Sequence, residues 1–531
     1  MWRDIVNYVK KLSKYGEVIA GSKKDYEVAK IIRDDLRDQG LSARLIPIPV
    51  MEWVPGKGSI SIGGHEISLT VQPYVLNACI EAPLTYVDIN NVDKSCVAIE
   101  DSIVLTNIPP DVDDINTAQL HLSECGALGA IFIDRAECMR RIVCTGTWSP
   151  LKGPGKPPSI PILQVSRSKG REILRYGGSR GYLVVEGCKA SESTGYIVEA
   201  TIPYRSEDNE CILITSHHDH WLTGVSDNLV GVSIAIFISK ILSSKSQITK
   251  RCVKLVIFTA EESGAPNYSS WYWIYGSRVY AKKYGNNISA VINLDTIAEG
   301  NKITVSATPD LAYLMNIKAK DLGIDIDVEF DQPIFDSYSF TMQGISAATL
   351  NTFHNILMKD IYHSSLDTIA VLNRDTIIKT TALCMKTVEH LASNNDVHKA
   401  LRAEKWLEYI VKNLQKSNAP LELIDSIYRA YRYLEIAKEP TNIKALIHFL
   451  VSELIKPVMW NGYRHLGNRE EILVAPWIIA NKRNTWYEVV FEGLIEPPAN
   501  INSSKYAILK SQIISRKINE IIKRSLPIGS K

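Results

Sequence analysis

Residues 211–242 read CILITSHHDHWLTGVSDNLVGVSIAIFISKIL. A short apolar run, CILITS, passes straight into His217-His218-Asp219-His220. Asp227 follows ten residues after His217, and a longer apolar stretch, NLVGVSIAIFISKIL, comes next. The first run has the length and bounds of a strand, the second the length of a helix. Outward toward the C-terminus the alternation repeats: VKLVIFTA (253–260), SSWYWIYGSRVYAKKY (269–284), ISAVINL (288–294), KITVSA (302–307), a helix near 308–322, IDIDVEF (324–330), AATLNT (347–352) and a long helix at 372–392. This alternation predicts an α/β fold, a mixed, mostly parallel sheet covered by helices. Ligands of such sheets bind beyond the carboxyl ends of the strands, which is where the chemically suggestive side chains of this segment fall.

Toward the N-terminus, SKKDYEVAKIIRDDLRDQG (22–40) places Val28, Ile31, Ile32 and Leu36 at helical spacing and stops at Gly40; the strand SARLIPIPV follows. From about 83 to 190 the texture changes to short strands and turn-rich connections, among them VAIEDSIVLTNIPP, a helix near 116–128, GAIFIDR, the proline-rich SPLKGPGKPPSIPI and GYLVVEG. Beyond 396 the chain reads as helical. Ala403, Trp406, Leu407, Ile410, Val411 and Leu414 form one apolar stripe, Ile424, Ile427, Tyr428 and Tyr431 another, and further helices are expected at 442–455 and 504–524. The expected organisation is a catalytic unit of residues 1–60 and 192–395, an inserted β-rich module of 61–191 and a helical unit of 396–531.

With 45% apolar and 22% charged residues, and 60 Lys+Arg against 58 Asp+Glu, the composition is that of a globular protein with no polyanionic partner, so no nucleic acid is expected. Arg3, Asp4, Lys10 and Lys11 interrupt the N-terminus; neither a leader nor a membrane-spanning run is expected there or later, which leaves the cytoplasm as the expected location. The nine cysteines are scattered, odd in number and without a C-x-x-C pair. They predict neither a disulfide framework nor a thiolate zinc site, and Cys211 and Cys252 read as buried small residues.

An imidazole and a carboxylate delivered to one loop, His217 and Asp227, suit a borderline metal such as zinc. In His217-x-Asp219 strand alternation puts both side chains on one side, so Asp219 is expected to fix the His217 ring tautomer. The run VKLVIFTA ends in Glu261-Glu262; two adjacent acids there would cost several kcal/mol each if buried unpaired, so a cation or solvent must stand beside them. One of the two is then free to act as a base. A third strand ends in Asp295, and a later loop supplies Tyr362-His363. Each feature alone is a common strand-end acid or a satisfied histidine; their coincidence in one α/β segment points to a metal centre.

The series His217-x-Asp219, Asp227-Asn228, Glu261-Glu262, Asp295 and His363, with FTAEESG, INLD, FDSYSF followed by QGIS, and YHSSLDT in that order, resembles the co-catalytic zinc peptidase family that contains aminopeptidases, glutamate carboxypeptidase and the transferrin receptor. The resemblance implies two zinc ions per chain. His217 and Asp295 would hold one, Glu262 and His363 the other, and Asp227 would bridge them. It further implies Glu261 as general base, Tyr362 as a hydroxyl assisting the oxyanion, and hydrolysis of a terminal peptide bond by a zinc-activated water. Residues 61–191 resemble a protease-associated domain, and the helical tail of that branch pairs two chains, so a homodimer is expected. An aminopeptidase is the leading expectation. A glutamate-type carboxypeptidase, a non-catalytic scaffold and a single-zinc acyltransferase of the glutaminyl cyclase type are the alternatives, the last two disfavoured because all five ligands are kept.

Other signals are weak. Gly177-x-Ser179-x-Gly181 spells a nucleophile elbow, but with helix before and strand after, the reverse of what that device needs. His65-Glu66 begins a zincin spelling, but Leu69 stands where the second histidine belongs. His218, His220 and His354 read as structural, and Trp271, Tyr272, Trp273 and Tyr275 as helix core, with one of them a candidate to line the specificity pocket.

Overall fold

The computed structural model describes residues 1–89, 92–146, 155–204, 210–244, 251–269, 271–300, 302–394, 421–436, 458–462, 470–474 and 503–525, with isolated positions 397, 446 and 449. In chain order the strands are β1 (Ser42–Val54), β2 (Lys57–Ile62), β3 (His65–Val71), β4 (Ala78–Tyr86), β5 (Ile103–Asn107), β6 (Gly129–Ile133), β7 (Ile162–Val165), β8 (Arg180–Glu186) and β9 (Lys189–Ile202). There follow β10 (Cys211–His217), β11 (Cys252–Phe258), β12 (Ile288–Leu294), β13 (Ile303–Ala307), β14 (Ile326–Phe330), β15 (Ser346–Asn351), β16 (Val458–Gly462) and β17 (Glu470–Val474).

Eight strands form one mixed sheet in the order β1-β9-β11-β10-β12-β15-β13-β14. Its centre, β11-β10-β12-β15, is parallel, while β1, β9 and the β13/β15 pairing are antiparallel. Both faces are covered, so the central strands are apolar throughout. Ile212 and Ile214 pack on one face with the helix Val230–Ser244, and Leu213 faces the other way into a cluster with Val256, Phe258, Tyr280 and Phe340. The segment Val225–Ser244 is long and apolar enough to cross a membrane by composition, contrary to the expectation of no such run; most of it lies buried against this sheet, as a core helix does.

Leaving the sheet after β1, the chain closes a seven-stranded barrel, β2-β3-β7-β6-β5-β4-β8, and returns through β9, which pairs with β1 along its whole length. The barrel has its own core, including Ile60, Leu84, Leu105, Ile131, Phe132 and Leu183.

Three expectations need correction. Cys211 and Cys252 are not separate buried thiols but a disulfide joining the first residues of β10 and β11, and Cys96–Cys125 is a second bridge. Scattered spacing hides such pairs, because parallel strand starts meet across an intervening helix. The tail beyond 396 is not wholly helical: helices Leu421–Ile436 and Ser503–Ser525 pack on one another, but β16 and β17 form an antiparallel pair between them. The stripe at 403–414 and most of the expected helix 442–455 lie outside the described residues. The aromatic run at 271–273 precedes the helix Tyr275–Tyr284 as a turn, stapled by Arg278, which stacks on Trp271 at 3.9 Å and donates to its carbonyl.

Candidate metal centre

Because β10, β11 and β12 are parallel neighbours, their carboxyl ends share one edge, and the residues that leave the strands there converge. His217 closes β10, Glu261 and Glu262 follow β11 by a turn through Ala260 at φ 57°, and Asp295 follows β12 directly. Asp227 sits in the irregular turn Val225–Leu229 before the core helix, and His363 on the loop after helix Phe353–Met358. The Asp227–Asn228 peptide is cis.

His217 Nε2 lies 3.3 Å from Asp295 Oδ1, 3.4 Å from Asp227 Oδ1 and 3.8 Å from Glu261 Oε2. His363 Nε2 lies 2.8 Å from Glu262 Oε2 and 3.6 Å from Asp227 Oδ2. Two triads therefore stand side by side, His217–Glu261–Asp295 and Asp227–Glu262–His363, with the two Asp227 oxygens turned to different imidazoles. All four carboxylates are buried. Burial, reinforced by neighbouring acids, pushes Glu261, Glu262 and Asp295 above the ordinary carboxylate range. Burial alone would lower His217, but Glu261 and Asp295 hold it well above its usual value. Burial would likewise raise Asp227, yet its hydrogen bond to His217 keeps it low.

Such a group is costly to bury without a cation. Glu262 Oε1 is buried with no hydrogen-bond partner, as an unused ligand oxygen would be. Two imidazoles and four carboxylates are the nitrogen and oxygen donors that zinc accepts, so the residues fit that metal.

Carboxylates one layer out hold the loops. Asp219 accepts from the backbone N–H of Glu261 at 3.2 Å and of Glu262 at 3.1 Å, and burial raises it to about 6. Its expected role toward His217 needs correction: its carboxylate is 3.9 Å from Nδ1, and the ring is oriented instead by the Asp219 main-chain carbonyl at 2.9 Å. Asp367 does for Asp227 what Asp219 does for the glutamates, accepting from Ser226 N at 2.7 Å and Asp227 N at 3.2 Å. His218 is bonded to buried Asp25 at 2.7 Å, His220 to the carbonyls of Gly16 and His218, and His354 is exposed, so none of the three joins the centre.

A cavity of about 200 Å³ opens over the triads, walled by Tyr272, Trp273, Phe335, Phe353, Tyr362 and, from the barrel, Asp111 and Asp113. Tyr362 stacks on His363 with ring centroids 3.7 Å apart, and burial holds its hydroxyl well above 10, hence protonated. Sequence reasoning missed Asp336 as a site residue although FDSYSF was singled out. It is fully buried, near enough to feel the charges of His217 and Asp295, and burial pushes it up to about 8. An acid at the start of a four-residue helix gives no periodic signal.

Residues 198–388 match the profile of peptidase family M28. This stretch is an M28 peptidase domain. The chain is a metallo-exopeptidase, a hydrolase. The chain is similar in fold to solved structures of low identity. A zinc aminopeptidase from Bacillus subtilis is 16% identical with a TM-score of 0.59, covering 73% of this chain and 94% of its own. A peptidase M28 precursor from Shewanella amazonensis SB2B is 18% identical with a TM-score of 0.60, covering 74% and 93%. An aminopeptidase from Aneurinibacillus sp. strain AM-1 is 18% identical with a TM-score of 0.51, covering 74% and 94%. No curated protein matches the chain.

Proposed function

We propose that this chain is a two-zinc aminopeptidase, with His217 and Asp295 on one ion, Glu262 and His363 on the other, and Asp227 between them. The observation that carries the reading is Asp227 itself, Oδ1 3.4 Å from one imidazole and Oδ2 3.6 Å from the other. Zinc is supported by this donor set and by the relative named a zinc aminopeptidase.

A zinc pair held there supplies an acidified water and polarises the scissile carbonyl. Glu261 takes the proton of the attacking water and returns it to the leaving amine; its Oε2 lies 3.8 Å from His217 Nε2, at the edge of the cavity over the two triads. Tyr362, kept protonated, donates to the oxyanion. The aromatic walls exclude water from the peptide. The cavity wall carries Asp111 and Asp113 and, among the described residues, no lysine or arginine. It thus suits the ammonium end of a peptide rather than the carboxylate that a carboxypeptidase must hold.

The barrel fits a protease-associated domain, and the two packed tail helices are proposed to pair two chains; a monomeric mass by light scattering removes the latter. The central test is zinc analysis together with hydrolysis of amino-acid anilides, dipeptides and peptides ending in glutamate, with and without chelator. About two zinc ions per chain and chelator-sensitive release of amino-terminal residues are expected. A metal-free chain would leave a scaffold, and release from the carboxyl end would reverse the polarity.

A further inference from the structure

His363 is the one proposed ligand whose ring lacks an ordinary anchor. A metal-binding histidine is oriented by a hydrogen bond from its second ring nitrogen, yet buried His363 Nδ1 makes no hydrogen bond of ordinary geometry, its one weak polar contact being with the main chain of Arg141, on the barrel side. Its backbone is left-handed at φ 51°, a conformation that a non-glycine residue keeps only when its surroundings impose it.

Those surroundings come from the barrel. Residues 139–141 lie antiparallel to 363–365: Ser365 N donates to Met139 O at 2.8 Å, Arg141 N to His363 O at 3.0 Å, and Arg140 bridges Ser364. The Arg140 guanidinium, 1% exposed, reaches past this seam. It donates to the carbonyl oxygens of Tyr362 and, at 3.2 Å, Asp360, while Nε is paired with buried Asp134 at 2.8 Å. Asp134 is fixed in turn by Gln164 Nε2 at 3.2 Å and the N–H of Ala136 at 2.9 Å.

We infer that Arg140 is a positioning residue for the metal centre: by gripping the carbonyls on the N-terminal side of His363 it sets the ring's direction, making the barrel part of the second metal site. The inference rests on the two-zinc reading. Its test is stepwise zinc uptake by the metal-free full chain in chelator-buffered zinc, comparing wild type with Arg140→Lys and Asp134→Asn, and using His363→Ala to mark the step that belongs to the second site. Lysine keeps the charge opposite Asp134 but cannot fork to two carbonyls; asparagine keeps the volume but frees the guanidinium. Both variants should weaken the His363 step by about 10–100-fold, the size of effect typical of such supporting partners, and leave the His217 step unchanged. Loss of both steps together, as general unfolding would give, or of neither, overturns the inference. If the wild type takes up no zinc, the two-zinc reading has failed instead.

Discussion

The two halves of the centre are made differently. His217, Glu261 and Asp295 stand at or just beyond the ends of three adjacent parallel strands, and the His217 ring is anchored within its own loop by the Asp219 carbonyl. Asp227, Glu262 and His363 include two proposed ligands from irregular loops, one anchored by Asp367 and the other by a seam to a different module. A sheet edge supplies rigidity without further devices. A loop-borne ligand must borrow it, from buried acids or from a neighbouring module.

The contrast is tested most severely at Glu261, which geometry groups with His217 and Asp295 but the proposed chemistry makes a base. Glu261→Gln should lower kcat by about 10²–10⁴ with zinc content unchanged; a matching loss of zinc would make residue 261 a ligand of the strand-borne half. On the loop-borne half, Tyr362→Phe should lower kcat by about 10², the range of a lost oxyanion donor, with little change in KM, and a change confined to KM would place the hydroxyl on the ground-state substrate. Asp367→Asn should weaken zinc binding by about 10-fold or somewhat more, measured by chelator competition; an unaltered affinity would mean that the Asp227 turn holds itself.

The smallest effect lies away from the metal. Burial raises Asp331, bonded to Ser337 and Thr341, to about 7. A carboxyl raised on folding contributes stability that is fully present below its unfolded pKa near 4 and is lost as pH rises through 7, at most about 1.4 kcal/mol per pH unit in that window. The stability deficit of Asp331→Asn relative to wild type should therefore shrink between pH 5 and 8 in thermal melts, and a deficit that grows would contradict the sign.

The strand-borne half was readable because an apolar run that ends in His, Asp or Glu announces a polar edge within a few residues. The sheet was legible for the same reason, through alternating strand and helix lengths. Asp219 was found but misassigned, since alternation places a side chain on a side and says nothing of backbone N–H groups at the end of the neighbouring strand. Arg140 was invisible: among barrel residues it looks like an ordinary surface charge, and only the folded chain brings it to Tyr362, 222 positions on. The Cys211–Cys252 disulfide was missed because pairing of strand starts is a property of register, not of spacing.

Cys211 and Cys252 stand opposite one another at the first rung of β10 and β11, 41 residues apart in the chain. The strand tips that bear His217 and lead to Glu262 thus grow from a common covalent root. If the rest of the sheet comes apart, these two ribbons remain side by side, and closing the loop between them narrows the range of shapes the unfolded chain can explore. Recovery of the catalytic edge after denaturation then begins with its two most important neighbours already introduced.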